Sequence, residues 1–442
     1  MLDTLFQFVT MVIPKSGIVV GALSLTLNLV LFAVIVIRDP NQTVRSLQLL
    51  RWIGICYVPL LAFGMVTFTL GMISSGVEPL KLAQVIIVVA SPLAIVATTR
   101  RLPEVDHAER RNSLPKPGAR AIRATQRAFQ LVAVALLIVN AYGLLQYFMG
   151  VSNVTVEGLT TTYGQAIEQK TIGYSSSGDT AKKIPSTFQS GTYFGIFCVL
   201  GMGLMLIWRP MLSRSARWKV IRVAAIIAAL VGLLLCGARA VLLPFAVAGI
   251  AILLGRIRVW PSRTLRRNFV ALLIGGGLLV LYLLVFQQEI ISSFVSRNIV
   301  ETLNDSTASG RTGQWSGLWS RFRDLSLSDM IIVLLLGNGS HYNLGSEGLP
   351  ALLVQMGLPA TLAFLGLFAA PIVHFFRRPV TRPMAWCLGV VLATFCVDLA
   401  FDYPPNIMLV FMAVGLALAG QRCGLLMESV SHRAVVALGA TD

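Results

Sequence analysis

Ala128-Phe-Gln-Leu-Val-Ala-Val-Ala-Leu-Leu-Ile-Val-Asn-Ala-Tyr-Gly-Leu-Leu-Gln-Tyr-Phe-Met149 runs without a single charged side chain. About 20 such residues cross a bilayer as a helix, which satisfies its backbone N–H and C=O groups within its own segment. Working outward, comparable apolar runs recur at 17–37, 52–74, 82–98, 190–208, 220–236, 240–255, 268–286, 348–376, 384–402 and 407–420. Of 442 residues, 56% are hydrophobic and only 12% charged, and the mean hydropathy is +0.77. These runs predict an all-α, polytopic integral membrane protein with about 11 to 12 transmembrane helices. The twelfth depends on Leu2 to Ile13. That segment is too short for an ordinary span and lacks both a basic n-region and a small-residue cleavage site, so it reads as interfacial rather than as a signal peptide.

The net charge of +17 invites a nucleic-acid reading, but its distribution explains it otherwise. Most of the 36 lysines and arginines fall in alternate loops: 99–127, 209–222, 256–267 and 377–382, with Arg38, Arg45, Arg51, Arg422 and Arg433 on the same side. Positive charge gathered in alternate loops marks the cytoplasmic face of a membrane protein, so the basic balance reports orientation and no nucleic-acid partner is expected. The same rule puts the segments Val151 to Gln189 and Gln287 to Glu347 on the outer face, together with Arg239 in the short turn between two spans. The chain divides into residues 1–127, N-terminal transmembrane helices plus a basic Pro-containing cytoplasmic loop, and residues 128–442. The second part carries the outer loops 150–189 and 287–347, and with them the expected catalytic region.

Within the second outer loop, Trp315, Leu318, Trp319 and Phe322 recur at helical spacing, so this loop is expected to be partly helical. Gly275-Gly276-Gly277 lies inside a span and reads as a close helix-packing site rather than a phosphate loop. No internal repeat is visible, which weakens an inverted-repeat transporter reading. The six cysteines show no CxxC or His/Cys ligand spacing, so neither a disulfide framework nor structural zinc is expected.

The chemistry-bearing residues collect on the outer face. Arg239 stands at the outer membrane boundary between two apolar runs, where an ionisable group is costly; it is either functional or snorkels to the interface. Arg311, in Ser309-Gly-Arg-Thr-Gly-Gln-Trp315, could supply a second guanidinium, and two such forks could grip a pyrophosphate through planar, charge-assisted hydrogen bonds. His341 is the one outer-face histidine of four and a candidate general base. Glu347 competes with it, and is equally readable as a helix-start carboxylate. Asp398, inside a span, and Asp402, at its outer end, suit a structural ion pair with an arginine such as Arg239 better than a proton pathway. No Asp-x-Asp pair occurs, so neither a metal site nor a cofactor is expected.

At these residues the chain resembles the O-antigen polymerase and O-antigen ligase superfamily, integral membrane glycosyltransferases that use undecaprenyl-diphosphate-linked sugars. The resemblance runs from about Ile184 to Phe376, through Ile184-Pro-Ser-Thr-Phe-Gln-Ser-Gly191, Cys236-Gly-Ala-Arg-Ala240, Ser309-Gly-Arg311, Leu336-Gly-Asn-Gly-Ser-His341 and Glu347-Gly-Leu-Pro-Ala-Leu-Leu-Val-Gln-Met-Gly-Leu358. It implies a bacterial inner-membrane enzyme with its active site facing the periplasm and inverting, metal-independent glycosyl transfer. Arg239 and Arg311 would take the donor diphosphate, and Lys183 would stand where such proteins frequently carry an arginine. Ligases of this kind place a His-Asn pair at a register that falls here on Ser346-Glu347, whereas His341 comes earlier. Glu347 as the base would match exopolysaccharide polymerases, which tilts the resemblance toward a polymerase. A ligase acting on lipid A core, or a lipid-linked oligosaccharide flippase, is the alternative. The implied partners are the lipid-linked oligosaccharide, the bilayer, a flippase and a chain-length co-polymerase. Sugar, linkage and oligomeric state are not legible.

Overall fold

The computed structural model describes residues 2–20, 23–38, 40, 51–75, 90–99, 119–163, 183–208, 216–257, 316–317, 319–320, 322–337, 348–398 and 403–426. Over these residues the fold is an all-α helical bundle. Its helices are α1 (Leu2–Val12), α2 (Leu27–Arg38), α3 (Arg51–Ser75), α4 (Ala119–Met149), α5 (Gly191–Ile207), α6 (Ala216–Leu235), α7 (Arg239–Ile257), α8 (Leu327–Leu336), α9 (Gly348–Phe376), α10 (Arg382–Val397) and α11 (Pro404–Arg422). Among the described residues, α4, α6, α9 and α11 are long and apolar enough to cross a membrane, and shorter apolar helices accompany them. This is the fold of a membrane protein.

Helix α11 is the axis of the bundle. It is apolar around its whole circumference, and every residue from Pro404 to Gly420 is buried; a helix of that composition has no face to offer to water. Helices α4 and α5 pack against it, and α1 does so too. Helices α6 and α7 lie outside: Val223, Ile227 and Leu234 on one and Leu243, Val247 and Ile250 on the other remain exposed, as side chains facing lipid would. Arginines of α4, α6, α10 and α11 mark one end of the bundle, where Arg222 donates to the Trp208 carbonyl at 2.7 Å and Trp208 stacks on Phe129. At the opposite end α5, α7, α9 and α11 begin.

Three segments differ from expectation. The run 17–37 is not one helix: Gly17–Val20 and Leu23–Thr26 form an antiparallel hairpin, and helix α2 starts only at Leu27. The cause is a distant partner. Val19 N–H donates to the Tyr163 carbonyl and Tyr163 N–H to the Gly17 carbonyl, both at 2.9 Å, so the first strand, with β-branched Ile18, Val19 and Val20, gains ladder bonds that a helix there would forgo. The segment Leu2 to Ile13, expected at an interface, is instead inserted in the bundle. Phe6, Val9, Met11 and Val12 are buried in the main core and Gln7 donates to the Ala97 carbonyl at 3.1 Å. Of the run 82–98, the described end is a tight 3-10 turn at Ser91–Ile95, opened by Pro92, followed by the short helix Val96–Thr99.

The run 348–376 is helical on both sides of a break at Gly357, where φ is 75°. A Cβ at Gly357 would lie 2.5 Å from the Leu335 carbonyl oxygen, so α8 and α9 cross there backbone to backbone. The buried Thr67 hydroxyl of α3 closes the crossing, within reach of the Phe63, Leu336 and Met356 carbonyls. Of the segment 287–347, expected to be partly helical, residues Leu327–Leu336 form helix α8, and before it Trp319 and Phe322 stack with Arg323 over the Trp319 ring. Helix α4 runs through the division between residues 127 and 128, and one core includes residues on both sides of it. The run 268–286 and Gly275 to Gly277 lie outside the described residues.

Candidate functional site

The end of the bundle where α5, α7, α9 and α11 begin carries the described candidates. Lys183 is half-buried and leads into Ile184-Pro185-Ser186-Thr187-Phe188, all of them buried. This stretch is a plug between the end of α4 and the start of α5. Ser186 adopts a positive φ of 52°, an unfavourable conformation for a residue with a side chain, and the surroundings hold it there. Its hydroxyl donates to the Val139 carbonyl at 2.6 Å, and Gln146 Nε2 donates to its carbonyl at 3.0 Å. The Ile184 N–H reaches the Leu235 carbonyl at 3.4 Å, which lays the residue after Lys183 against the last turn of α6.

Arg239 opens α7 after the tight turn Cys236-Gly237-Ala238. Cys236 and Ala238 are fully buried, and the N–H groups of Val241 and Leu242 both bond the Ala238 carbonyl at 3.0 Å, which fixes where α7 starts. Thr394 of α10 donates to the Ala240 carbonyl at 3.0 Å and holds the same turn from the other side. Gly191, first residue of α5, rests against the Cys236 carbonyl, and a Cβ there would also meet the Lys183 Cβ at 3.3 Å. Only a residue without a side chain fits. Lys183 and Arg239 are thereby brought to one junction of α5, α6 and α7.

Asp398 closes α10 in extended conformation rather than lying within the helix, as the sequence suggested. Its Oδ2 accepts from the Thr192 hydroxyl at 3.2 Å. Next to Thr192, Tyr193 stacks on Tyr403 with ring centroids 4.8 Å apart and planes nearly parallel. Tyr403 immediately precedes Pro404-Pro405 at the start of α11, its hydroxyl is shut off from solvent, and burial pushes its phenol above the ordinary tyrosine value. Gly348 opens α9 against the Cys396 carbonyl, so the chain that follows Glu347 enters the bundle beside the end of α10. Arg311, His341, Glu347 and Asp402 themselves lie outside the described residues.

The arrangement sets two cationic side chains and four helix N-termini, each with a partial positive charge, at one end of an apolar bundle. That combination suits an anion carried on a membrane-held molecule. Thr192, Tyr193 and Tyr403 were not singled out in the sequence. The available signal was the Tyr403-Pro-Pro405 string at the mouth of a span, with a polar ring where the apolar run begins. Among the described residues no group of His, Cys, Asp or Glu is assembled as a metal site, and none of the six cysteines forms a disulfide. No family model matches the chain, and no curated protein matches it.

Proposed function

We propose that this protein is a glycosyltransferase that polymerises undecaprenyl-diphosphate-linked oligosaccharide repeats into a surface or extracellular polysaccharide at the periplasmic face of a bacterial inner membrane. The observation that supports it best is the junction that holds Lys183 and Arg239 together, at the end of the bundle opposite the arginine-rich one. Under the positive-inside rule that arginine-rich end is cytoplasmic, which leaves the junction facing the periplasm.

In this reading the growing chain is the donor. The acceptor hydroxyl of a new lipid-linked repeat attacks the anomeric carbon from the face opposite the diphosphate and inverts it. The bond from that carbon to the diphosphate oxygen breaks, the electron pair leaves on the diphosphate, and the hydroxyl proton passes to Glu347 or His341. Arg239, Arg311 and Lys183 offset the negative charge that develops on the leaving group, without a metal. A flippase would supply the repeats and a chain-length co-polymerase would act on the same product.

A transporter reading draws on the break in α9, since broken helices line transporter binding sites. Here the Met356 and Leu336 carbonyls turn to the Thr67 hydroxyl and to the backbone of the crossing helix, so the break is filled by protein.

Deleting the gene in a host that makes the polysaccharide tests the reading. Single repeats on undecaprenyl diphosphate should accumulate in the periplasmic leaflet. Finished polymer left on the lipid would instead indicate a ligase for lipid A core or another acceptor, and repeats trapped in the cytoplasmic leaflet would indicate a flippase.

A further inference from the structure

We infer that the cavity between α1, α4 and α11, at the arginine-rich end of the bundle, is a binding site for one glycerophospholipid with an ethanolamine headgroup; the site stands whether or not the protein is a glycosyltransferase. The cavity has a volume of about 580 Å³ and is lined by Asp3 and Gln7 of α1, Thr98 of the short helix Val96–Thr99, Thr125 and Arg127 of α4, and Leu416 of α11, among others. Pockets that hold small molecules measure roughly 300 to 1,000 Å³, so the space is that of a ligand site rather than of a packing defect. Thr4, Leu5 and Arg127 of the lining are exposed, so the cavity opens outward there, whereas Gln7, Thr125 and Ala128 are buried and form its floor. Left empty, it would forfeit dispersion contacts along that floor.

The lining is graded from charged to apolar. Arg127 is the last arginine of α4, immediately before its charge-free run, and Asp3 stands in the first turn of α1 beside the same cavity. Among the described lining residues these two are the one cation and the one anion, and Leu5, Phe8, Leu131 and Leu416 supply apolar wall. A second void of about 20 Å³ shares Gln7, Thr98 and Leu416 with the first and is bordered by Met11, Val132 and Leu409. These residues lie further along α1 and α4 from their arginine-rich ends, and nearer the start of α11, so the second void continues the first into the bundle. A ligand fitted to this order is charged at one end and hydrocarbon at the other. Arg127, where the apolar run of α4 begins, stands at the headgroup level of the cytoplasmic leaflet. A guanidinium holds a phosphate through charge-assisted hydrogen bonds, and a carboxylate accepts from a primary ammonium. The zwitterionic ethanolamine headgroup satisfies both. A purely anionic headgroup would meet Asp3 with like charge, and a choline headgroup has no N–H to donate to it.

The experiment uses the purified full chain, stripped of lipid in detergent and then offered phosphatidylethanolamine, phosphatidylcholine or phosphatidylglycerol with identical acyl chains. Retained lipid is counted by native mass spectrometry, and unfolding is followed on heating. The wild type should retain one phosphatidylethanolamine per chain, melt at a higher temperature with it, and hold it at least about threefold better than the other two lipids. Arg127→Gln, at an exposed position where the fold tolerates change, should lower retention about three- to tenfold. Asp3→Asn should abolish the preference for ethanolamine over choline. Ala124→Phe, which fills part of the cavity, should lose the lipid while its lipid-free stability stays equal to or above wild type, which separates loss of the site from loss of the fold. Retention unchanged in both Arg127→Gln and Ala124→Phe would mark lipid held anywhere on the apolar surface and overturn the site, as would a wild type that retains no lipid. Retention that depends on Arg127 but is equal for all three headgroups would overturn the ethanolamine assignment.

Discussion

The Thr192 hydroxyl donates to Asp398 Oδ2 at 3.2 Å, joining the first turn of α5 to the residue that closes α10. The two residues are far apart in sequence, and both flank the junction that carries Lys183 and Arg239. Hydrogen bonds to a carboxylate contribute roughly 1.5 to 3 kcal/mol, less where water has access, as it has at half-buried Asp398. Thr192→Val should therefore lower stability by about 1 to 2 kcal/mol in thermal or denaturant unfolding in detergent. Asp398→Asn, which keeps an acceptor oxygen, should cost less. Equal stability of Thr192→Val and wild type would show that the bond does not tie the helices.

Gly191 tests the junction sterically. Its missing side chain lets α5 rest on the Cys236 carbonyl, so Gly191→Ala must push apart the α5 start and the turn that carries Arg239. Overpacking of this kind costs about 1 to 3 kcal/mol. Polymer formation should fall along with stability. Gly249→Ala, in the middle of α7 with open space around it, serves as the control and should be neutral or slightly stabilising. Normal activity in Gly191→Ala would separate Arg239 from this contact.

Helix positions were legible because charge-free length is a property of the sequence itself. The run 190–208 became Gly191–Ile207, and 348–376 became Gly348–Phe376. What hydropathy cannot register is backbone geometry inside an apolar run. Gly357 breaks α9 while the run stays apolar, and Gly17 to Thr26 looks like part of a span because the strand partner, Tyr163, lies in a distant loop. The site was legible in part for a related reason. Arg239 stood out because charge is rare in apolar surroundings, whereas the Thr192–Asp398 and Tyr193–Tyr403 pairs join separate helices and leave no local pattern.

The break in α9 should prove to be built in. At Gly357 a φ of 75° and the 2.5 Å approach to the Leu335 carbonyl both reject a side chain. Gly357→Ala is expected to cost about 1 to 3 kcal/mol through backbone strain alone, and more if α8 is displaced. Thr67→Val leaves the Leu336 and Met356 carbonyls without their hydroxyl and should also destabilise. Because both variants act on one crossing, the double variant should cost less than the two single effects combined. Strict additivity in a double-mutant cycle would mean that Thr67 and Gly357 act separately.

The two candidate site cations among the described residues, Lys183 and Arg239, should differ in what replaces them. If Arg239 grips the diphosphate with its planar fork, Arg239→Lys keeps the charge but loses the paired bonds, and activity should drop at least about tenfold. Lys183, a point charge on a flexible stem, should tolerate Lys183→Arg and fail as Lys183→Ala. Initial rates of polymer formation decide this, and near-normal rates in Arg239→Lys would remove the bidentate contact from the account.

The most direct measurement is reconstitution of the purified protein with a lipid-linked oligosaccharide repeat, without added metal, followed by gel and mass analysis of the products. The account predicts a ladder of lipid-linked repeats from the wild type and none from Arg239→Ala. Substrate left as single repeats by the wild type, or consumed only once a lipid A core acceptor is added, would contradict it.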